Sequence, residues 1–481
     1  MRGSGWGLWY NYRPMESPIA IVGMSCRFAG VSSPATLWDA VMACRNGLTA
    51  PGPDLELPYG QKNIFDRRYP LTVGQLGELY SCVPSMQNFP RQVNAGENQD
   101  LYFATQLAFD ALADASMKPH GKMPVRGSVR LGYAPPFNAS TMNWLQHTVF
   151  LDQTMEIIRR FLAHAPESSV EAVRAKLVES LPAPDAESFL LGTGYRFASW
   201  IARECSFTGA ATIQDAGMLT GAVTLMDAID DLRSGRADVA LAGALTAPFS
   251  RAVLEGLSGQ IPFTSHAELH SFARDPDGTA PGEGGAFFVL KRRADALRDR
   301  DRIYALLRAV EIGHAPVEDP SAVFAAATQR LEIPVTTIGL VEADGSGVKT
   351  MEARELAALR ALWGEHKPGG PLVGIGSVKG NVGHTLRASM AAGVAKTVLA
   401  LWHRVLPPQL PPRLVDESIA NLSSSAYLLT EARPWVTGDS ANPRRAAVLG
   451  ANFDSLAPDG TSGQPGRSAV IILEEEPENR T

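Results

Sequence analysis

The sequence predicts an α/β protein with largely buried sheets, on three observations. Short runs dense in Val, Ile, Leu and Ala alternate with longer segments whose apolar residues recur at helical spacing. Many of the short runs are nearly continuous in apolar residues, the pattern of strands covered by helices on both faces. At 481 residues the chain is long enough for a fused pair of α/β halves, which are expected to meet near residue 260.

In chain order, "SPIAIVGMSCRFAG" reads as a strand ending in a Gly turn, and "PATLWDAVMACRNG" as an amphipathic helix with a Gly stop. Residues 51–97 are rich in Pro and Gly and irregular. "DLYFATQLAFDALADASM" is a helix and "VRLGYAP" a short strand. Residues 139–183 give two helices separated by "APESS", a candidate N-cap. "GGAFFVLKR" and "RIYALLRAVEIG" are strands, as is "TTIGLVEADGSG" up to its Gly turn. "MEARELAALRALWG" is a helix, "LVGIGSVKGNVGHT" a strand and loop, and "AAGVAKTVLALWHRVL" a core helix broken by Lys396. "RRAAVLGANF" and "SAVIILEEE" close the chain as strands, and "EEEPENRT" is expected to be a solvated end.

Bulk composition excludes several function classes. Hydrophobic content of 45% and charged content of 20% suit a soluble globular protein. A net charge of −6 gives no basic field for nucleic acid. Cys26, Cys44, Cys82 and Cys205 lie far apart with no CxxC pair, which fits a reducing cytoplasm and argues against structural zinc. The leader "MRGSGWGLWYNYRP" is aromatic, lacks a signal-peptide h-region, and is read as packing on the body or on a partner. No apolar run is long enough for a membrane span.

The stretch "ATIQDAGMLTGAVTLMDAIDDLRSGRADVALAGAL" carries the main chemical signal. A strand, a tight turn at Asp215–Ala216–Gly217 and a helix expected from about Met218 form an elbow of the kind that lifts a nucleophile to a helix N-terminus. The residue at that elbow is a methionine. In "HAELH", His266 and His270 have the spacing of a helical metal pair, but they fall in a loop with no third ligand apparent. The Gly-rich turns "IVGMSCRFAG" and "GIGSVKG" complete no nucleotide-binding motif, and Ser377 is not in a GxSxG elbow.

From about Ser17 to Glu476 the chain resembles the β-ketoacyl synthase family of polyketide and fatty-acid biosynthesis. The blocks that carry the resemblance occur in order: "PIAIVGMSCRFAG", the elbow helix with "LRSGRADVALAGA", "FARDPDGTAPGEGGAFFVLKR", "VEADGSG", and "GSVKGNVGHT" with the helix after it. The resemblance implies a thiolase-like fold of two related α/β halves in an α-β-α-β-α arrangement. It divides the chain into a leader (1–16), an N-terminal half (17–260, with a helical insertion at about 139–183) and a C-terminal half with acidic tail (261–481). The insertion looks like that of synthases of polyunsaturated-lipid and glycolipid type.

The family needs a cysteine thiolate to hold an acyl chain and two imidazoles to promote extender decarboxylation. The resemblance places the cysteine position at Met218, which forms no acyl thioester. It places the first histidine, in a pattern like "VEAHGTGT", at Asp344, a carboxylate that repels a malonyl group. The second histidine is kept as His384, the loop lysine as Lys379 and the acidic residue of "GEG" as Glu283. The family's Gly-rich loop, like "FGGTNAH", is replaced by "NFDSLAPDGTSGQPG", with Phe453 as its remnant.

Several readings follow from the resemblance. One is a chain-length-factor-like partner, because "EADGSGVKTMEA" is similar to the "FADGAGVPE" of some such proteins. A second is a loading-type decarboxylase acting through His384 and Lys379. A third is a repurposed acyl-thioester enzyme in which Asp344 orients His384 as general base. The last is a carrier-protein-binding scaffold. The implied partners are an active ketosynthase or a second copy, an acyl carrier protein and an acyl thioester; no cofactor and no metal are implied. At the level of single residues, Met218 is read as a space-filler in the old cysteine pocket and Asp344 as a turn cap before Gly345. His384 is either a core hydrogen-bonding group or functional, and Lys379 with Glu283 a structural ion pair.

Overall fold

The computed structural model describes residues 18–55, 69–77, 99–118, 125–134, 143–181, 183, 194, 196–313, 319–363, 372–412, 414–420, 426–436, 442–452 and 467–477. The aromatic leader, Cys82, Phe453 and most of the replaced loop lie outside the described residues.

Two sets of strands with the same connectivity build the protein. The first comprises β1 (Ile19–Phe28), β2 (Gly127–Gly132), β3 (Ala211–Gln214), β4 (Val239–Thr246) and β5 (Gly284–Arg292), in spatial order β3-β2-β4-β5-β1. The second comprises β6 (Ala305–Ile312), β7 (Ile338–Glu342), β8 (Val373–Gly376), β12 (Arg445–Ala451) and β13 (Ser468–Glu474), in order β8-β7-β12-β13-β6. In each set the second strand runs parallel to the third and fourth, and the fifth pairs antiparallel with the fourth and the first. β9 (Val405–Leu406) and β11 (Arg433–Pro434) form a separate ribbon, and β10 (Ala426–Leu428) extends the β8 edge. β1 and β6 pair over Ile19–Ile21, which joins both sets into one eleven-stranded sheet. The last strand of the first set ends at Arg292 and the first strand of the second begins at Ala305. The order of elements along the chain does not reveal this, because β5 pairs back onto β4 and β1.

Helices Thr220–Arg233 and Ser389–His403 lie between the sets and share one core with their inner faces, including Ile21, Phe288, Leu307, Val448 and Ile471. Every residue from Ser389 to Leu401 is buried, as expected for the core helix. Its Lys396 is tolerated there because Glu342 lies 2.7 Å from its Nζ. Gln99–Asp114 and Arg196–Glu204 cover the outer face of the first set through Leu107, Phe197 and Ile201. Pro320–Arg330 and Lys349–Trp363 cover the second, where the Phe324 and Trp363 rings meet edge-on at 5.2 Å. The result is the five-layered thiolase-like α/β arrangement.

Three local expectations are corrected. Glu474, Glu475 and Glu476 are buried rather than solvated. Arginines from two strands, a helix and the segment before β12 meet them: Arg445 and Arg308 on Glu474, Arg444 on Glu475 at 2.6 Å, and Arg293 on Glu476 at 2.5 Å. In the insertion, helices Leu151–Phe161 and Glu167–Ser180 pair through Leu151, Met155 and Val170, but the second starts after Pro166 with no side-chain cap. Proline's fixed φ lets it open the helix without a serine hydroxyl. The elbow helix begins at Thr220, two residues beyond the expected start, because Gly217 and Met218 are used in the turn.

Candidate active site

Parallel strands end side by side, and loops leaving their C-terminal ends are the natural place for a site. β7 and β8 are in register with Glu342 opposite Gly376, so the loops after them carry Asp344 and Lys379 toward each other. Lys379 Nζ lies 2.9 Å from Asp344 Oδ1 and also donates to the Asp344 carbonyl at 2.5 Å. The two side chains are only 6% and 7% exposed, so this is a buried ion pair. Ser377 Oγ donates to the same Asp344 carbonyl at 3.3 Å, a loop contact rather than a nucleophile's setting.

The helix Lys349–Trp363 supplies two further buried carboxyls. Glu355 accepts the Asp344 amide at 2.6 Å and the Gly345 amide at 2.9 Å. Glu352 accepts the Phe272 and Gly347 amides. Burial, followed by the Asp344 charge, pushes the Glu355 carboxyl up to about 7. Burial, with the Glu355 and Asp344 charges added, pushes Glu352 up to about 8.

His384 follows Gly383, whose φ of +79° and close approach to Gly282 suit only glycine. The ring is completely buried, and Nδ1 accepts the Leu386 amide at 3.2 Å. Burial first, and the Lys379 charge second, hold the imidazole well below its usual range, so it is neutral with its proton on Nε2. Asp344 makes no bond to this ring; its charge is engaged by Lys379. Glu283 is not the partner of Lys379 either. Its two oxygens accept the Leu76 amide at 2.8 Å and the Phe249 amide at 2.9 Å, pinning two loops behind the site. The expected Lys379–Glu283 pair is therefore corrected to Lys379–Asp344.

The elbow lies between β3 and the helix at Thr220. Gly217 has φ +62°, and a Cβ there would sit 2.7 Å from Asn452 Oδ1. Asn452, at the end of β12, accepts the Met218 amide at 2.7 Å and donates to the Ala216 carbonyl at 3.2 Å. Thr220 Oγ1 donates to the Gly217 carbonyl at 2.7 Å and accepts the Ala216 amide at 2.8 Å. Met218 itself is half-buried and packs against a cluster that includes Phe249, Leu254, Val348 and Leu386. Arg387 reaches back to Asp215 through two 3.0 Å bonds and ties the elbow to the His384 loop. A cleft lined by Phe249, Val253, Leu257, Leu386 and Arg387 opens beside it.

The structure thus brings Asp344 and Lys379 into contact and links Met218 and His384 through Asp215–Arg387, while Glu283 stands in its own network. Asn452, Glu355 and Arg387 were missed from sequence. Asn452 acts on Met218 across 234 positions, a link no local pattern carries. Chemically the site offers a neutral imidazole with an Nε2–H, a buried ion pair and, at its elbow, the Met218 thioether. "HAELH" is a loop: His266 is exposed and His270 Nε2 is 3.3 Å from Glu268. Among the described residues no group of three metal-ligating side chains occurs, and no helix is long and apolar enough to cross a membrane.

The β-ketoacyl synthase N-terminal domain model matches residues 16–140 and 176–296, and the C-terminal domain model matches residues 310–412. The N-terminal match breaks where the helical insertion lies. The chain is 29% identical over 97% of its length to the spectinabilin polyketide synthase system protein NorA' of Streptomyces orinoci, of which it spans 12%. It is 28% identical over 94% of its length to a mycocerosic acid synthase-like polyketide synthase of Mycobacterium tuberculosis, of which it spans 21%. Among solved structures, the ketosynthase from module 6 of the bacillaene synthase of Bacillus subtilis superposes with a TM-score of 0.72 at 23% identity, over 95% of this chain and 72% of that one.

Proposed function

The chain belongs to the β-ketoacyl synthase family, and from that premise we propose that it is a non-condensing member: a chain-length-factor-like partner of an active ketosynthase in polyketide or specialised lipid biosynthesis. The observation that carries the reading is Met218 at the nucleophile elbow. The turn and its backbone bonds are kept, and the side chain is an inert thioether packed into an apolar cluster. Losing the nucleophile alone costs many powers of ten, since the groups left behind recover only about 10³–10⁴ over water in comparable enzymes.

The electrostatics of the site support the same reading. A general-base role for His384 oriented by Asp344 needs those groups to bond, and Asp344 is held by Lys379 instead. The Nε2–H tautomer of His384 makes it a donor, not a base, toward any ligand at that nitrogen. Decarboxylative loading through two donors is disfavoured because Asp344 accepts only. The cleft of Phe249, Val253 and Leu257 gives a partner's growing acyl chain an apolar wall. An acyl carrier protein and a dimeric assembly belong to this reading.

The test is intact-protein mass spectrometry after incubation with hexanoyl N-acetylcysteamine thioester. The wild-type chain is expected to gain no acyl mass, whereas Met218→Cys gains one, mapped to position 218. Co-expression with a cysteine-bearing ketosynthase should then give products whose length changes when Val253 or Leu257 is enlarged. Condensation of two acyl units by the lone wild-type chain would overturn the proposal.

A further inference from the structure

A cavity beside the ion pair is lined by Asp344, Met351, Arg354, Glu355, Gly450 and Asn452, among others. It adjoins the elbow, because Asn452 holds the Met218 amide and Met351 packs in the cluster that Met218 joins. The two carboxyl groups that line it, Asp344 and Glu355, and the neighbouring Glu352 differ in one respect. Both oxygens of Glu355 accept backbone amides, and so do both oxygens of Glu352. Asp344 Oδ1 is engaged by Lys379, while Asp344 Oδ2 is buried with no hydrogen-bond partner. The Asp344 side chain is 7% exposed, so this oxygen is largely shielded from bulk solvent. A buried acceptor without a donor is costly and is normally completed by protein, water or ligand.

The geometry points to a ligand-binding site whose polarity is the reverse of a carbonyl-binding one: Asp344 Oδ2 receives an O–H or N–H donor, supplied by a hydroxyl-bearing acyl chain. Lys379 already neutralises the Asp344 charge, so a neutral donor completes the oxygen and a full positive charge is not required. A keto oxygen at the same place would set acceptor against acceptor. Asn452 and Met351 carry the cavity from the polar end at Asp344 to the apolar surroundings of Met218, a layout suited to an acyl group with one polar substituent. The inference rests on the acyl-site reading above and sharpens it to a substrate class.

The test is calorimetric binding of the full chain to four N-acetylcysteamine thioesters: 3-hydroxybutyryl, 3-oxobutyryl, 3-aminobutyryl and butyryl. All four share the same amide, so the ranking reads the C3 group alone. The 3-hydroxy compound is expected to bind at least about tenfold more tightly than the 3-oxo compound, the scale of one hydrogen bond to a charged group. In Asp344→Asn, whose amide donor can turn toward the cavity, the preference narrows or reverses. Equal binding of hydroxy and oxo compounds to the wild-type chain overturns the inference, whether or not the variant folds. Tightest binding of the 3-amino compound overturns the neutral-donor assignment in favour of a cation. Failure of all four, butyryl included, overturns the acyl-site reading as well, which separates the two failures.

Discussion

Replacing Lys379 by methionine leaves the Asp344 carboxylate buried and uncompensated. At 2.9 Å, with an effective dielectric of about 20, the direct attraction is about 6 kcal/mol before desolvation is counted. Removing one partner of such a pair costs about 3–5 kcal/mol, because the remaining charge keeps its desolvation penalty and loses its compensation. The double variant Lys379→Met with Asp344→Asn removes both charges and should recover more than half of that loss. Urea unfolding at pH 7, followed by tryptophan fluorescence in the wild type and the three variants, gives the coupling energy directly. Because the pair is shielded from solvent, the loss should change little in 1 M salt. A Lys379→Met variant within about 1 kcal/mol of wild type, or strictly additive single effects, would refute the argument that this pair holds the two loops together.

The buried carboxyls predict an unusual pH profile. The native state holds the Glu355 and Glu352 protons up to about 7 and 8, above their unfolded values. Their contribution to stability is therefore complete below about pH 4.5 and is lost as pH rises through 7 and 8. Glu352→Gln should flatten that decline and make the protein more stable than wild type at pH 8.5, as urea midpoints across pH would reveal; a midpoint that rises between pH 6 and 8.5 contradicts the sign. Asn452→Ala should cost about 1–2 kcal/mol and speed amide exchange at Met218, read by hydrogen–deuterium exchange, because the elbow loses its tie to β12. Cys26 and Cys205 are buried, and burial pushes their thiols up, Cys205 to about 12, so both should resist iodoacetamide in the native protein. Rapid alkylation of either would mean that the packing around it opens.

Much of the fold was legible because hydrophobic patterning is local. The apolar runs at β1, β5, β7 and β13 and the largely apolar helix Ser389–His403 announce burial on every side. The expected solvated tail failed for a non-local reason. Nothing in "EEE" says that Arg293, Arg308, Arg444 and Arg445 will converge on it. The site divides the same way. Met218 and Asp344 declare their chemistry by residue type, whereas the partner of Lys379 is set by the register of β7 against β8.

The amino-acid sequence by itself determined the alternation of strands and helices, the elbow and the inert sulfur at its tip, because each depends on residue type and short-range spacing. Only the tertiary structure decided which carboxylate neutralises Lys379, which tautomer His384 adopts, and which oxygen of Asp344 is left without a donor. Those outcomes depend on distances between loops far apart in the chain and on exclusion of water from the space between them, and both exist only once the two strand sets have closed around their shared helices.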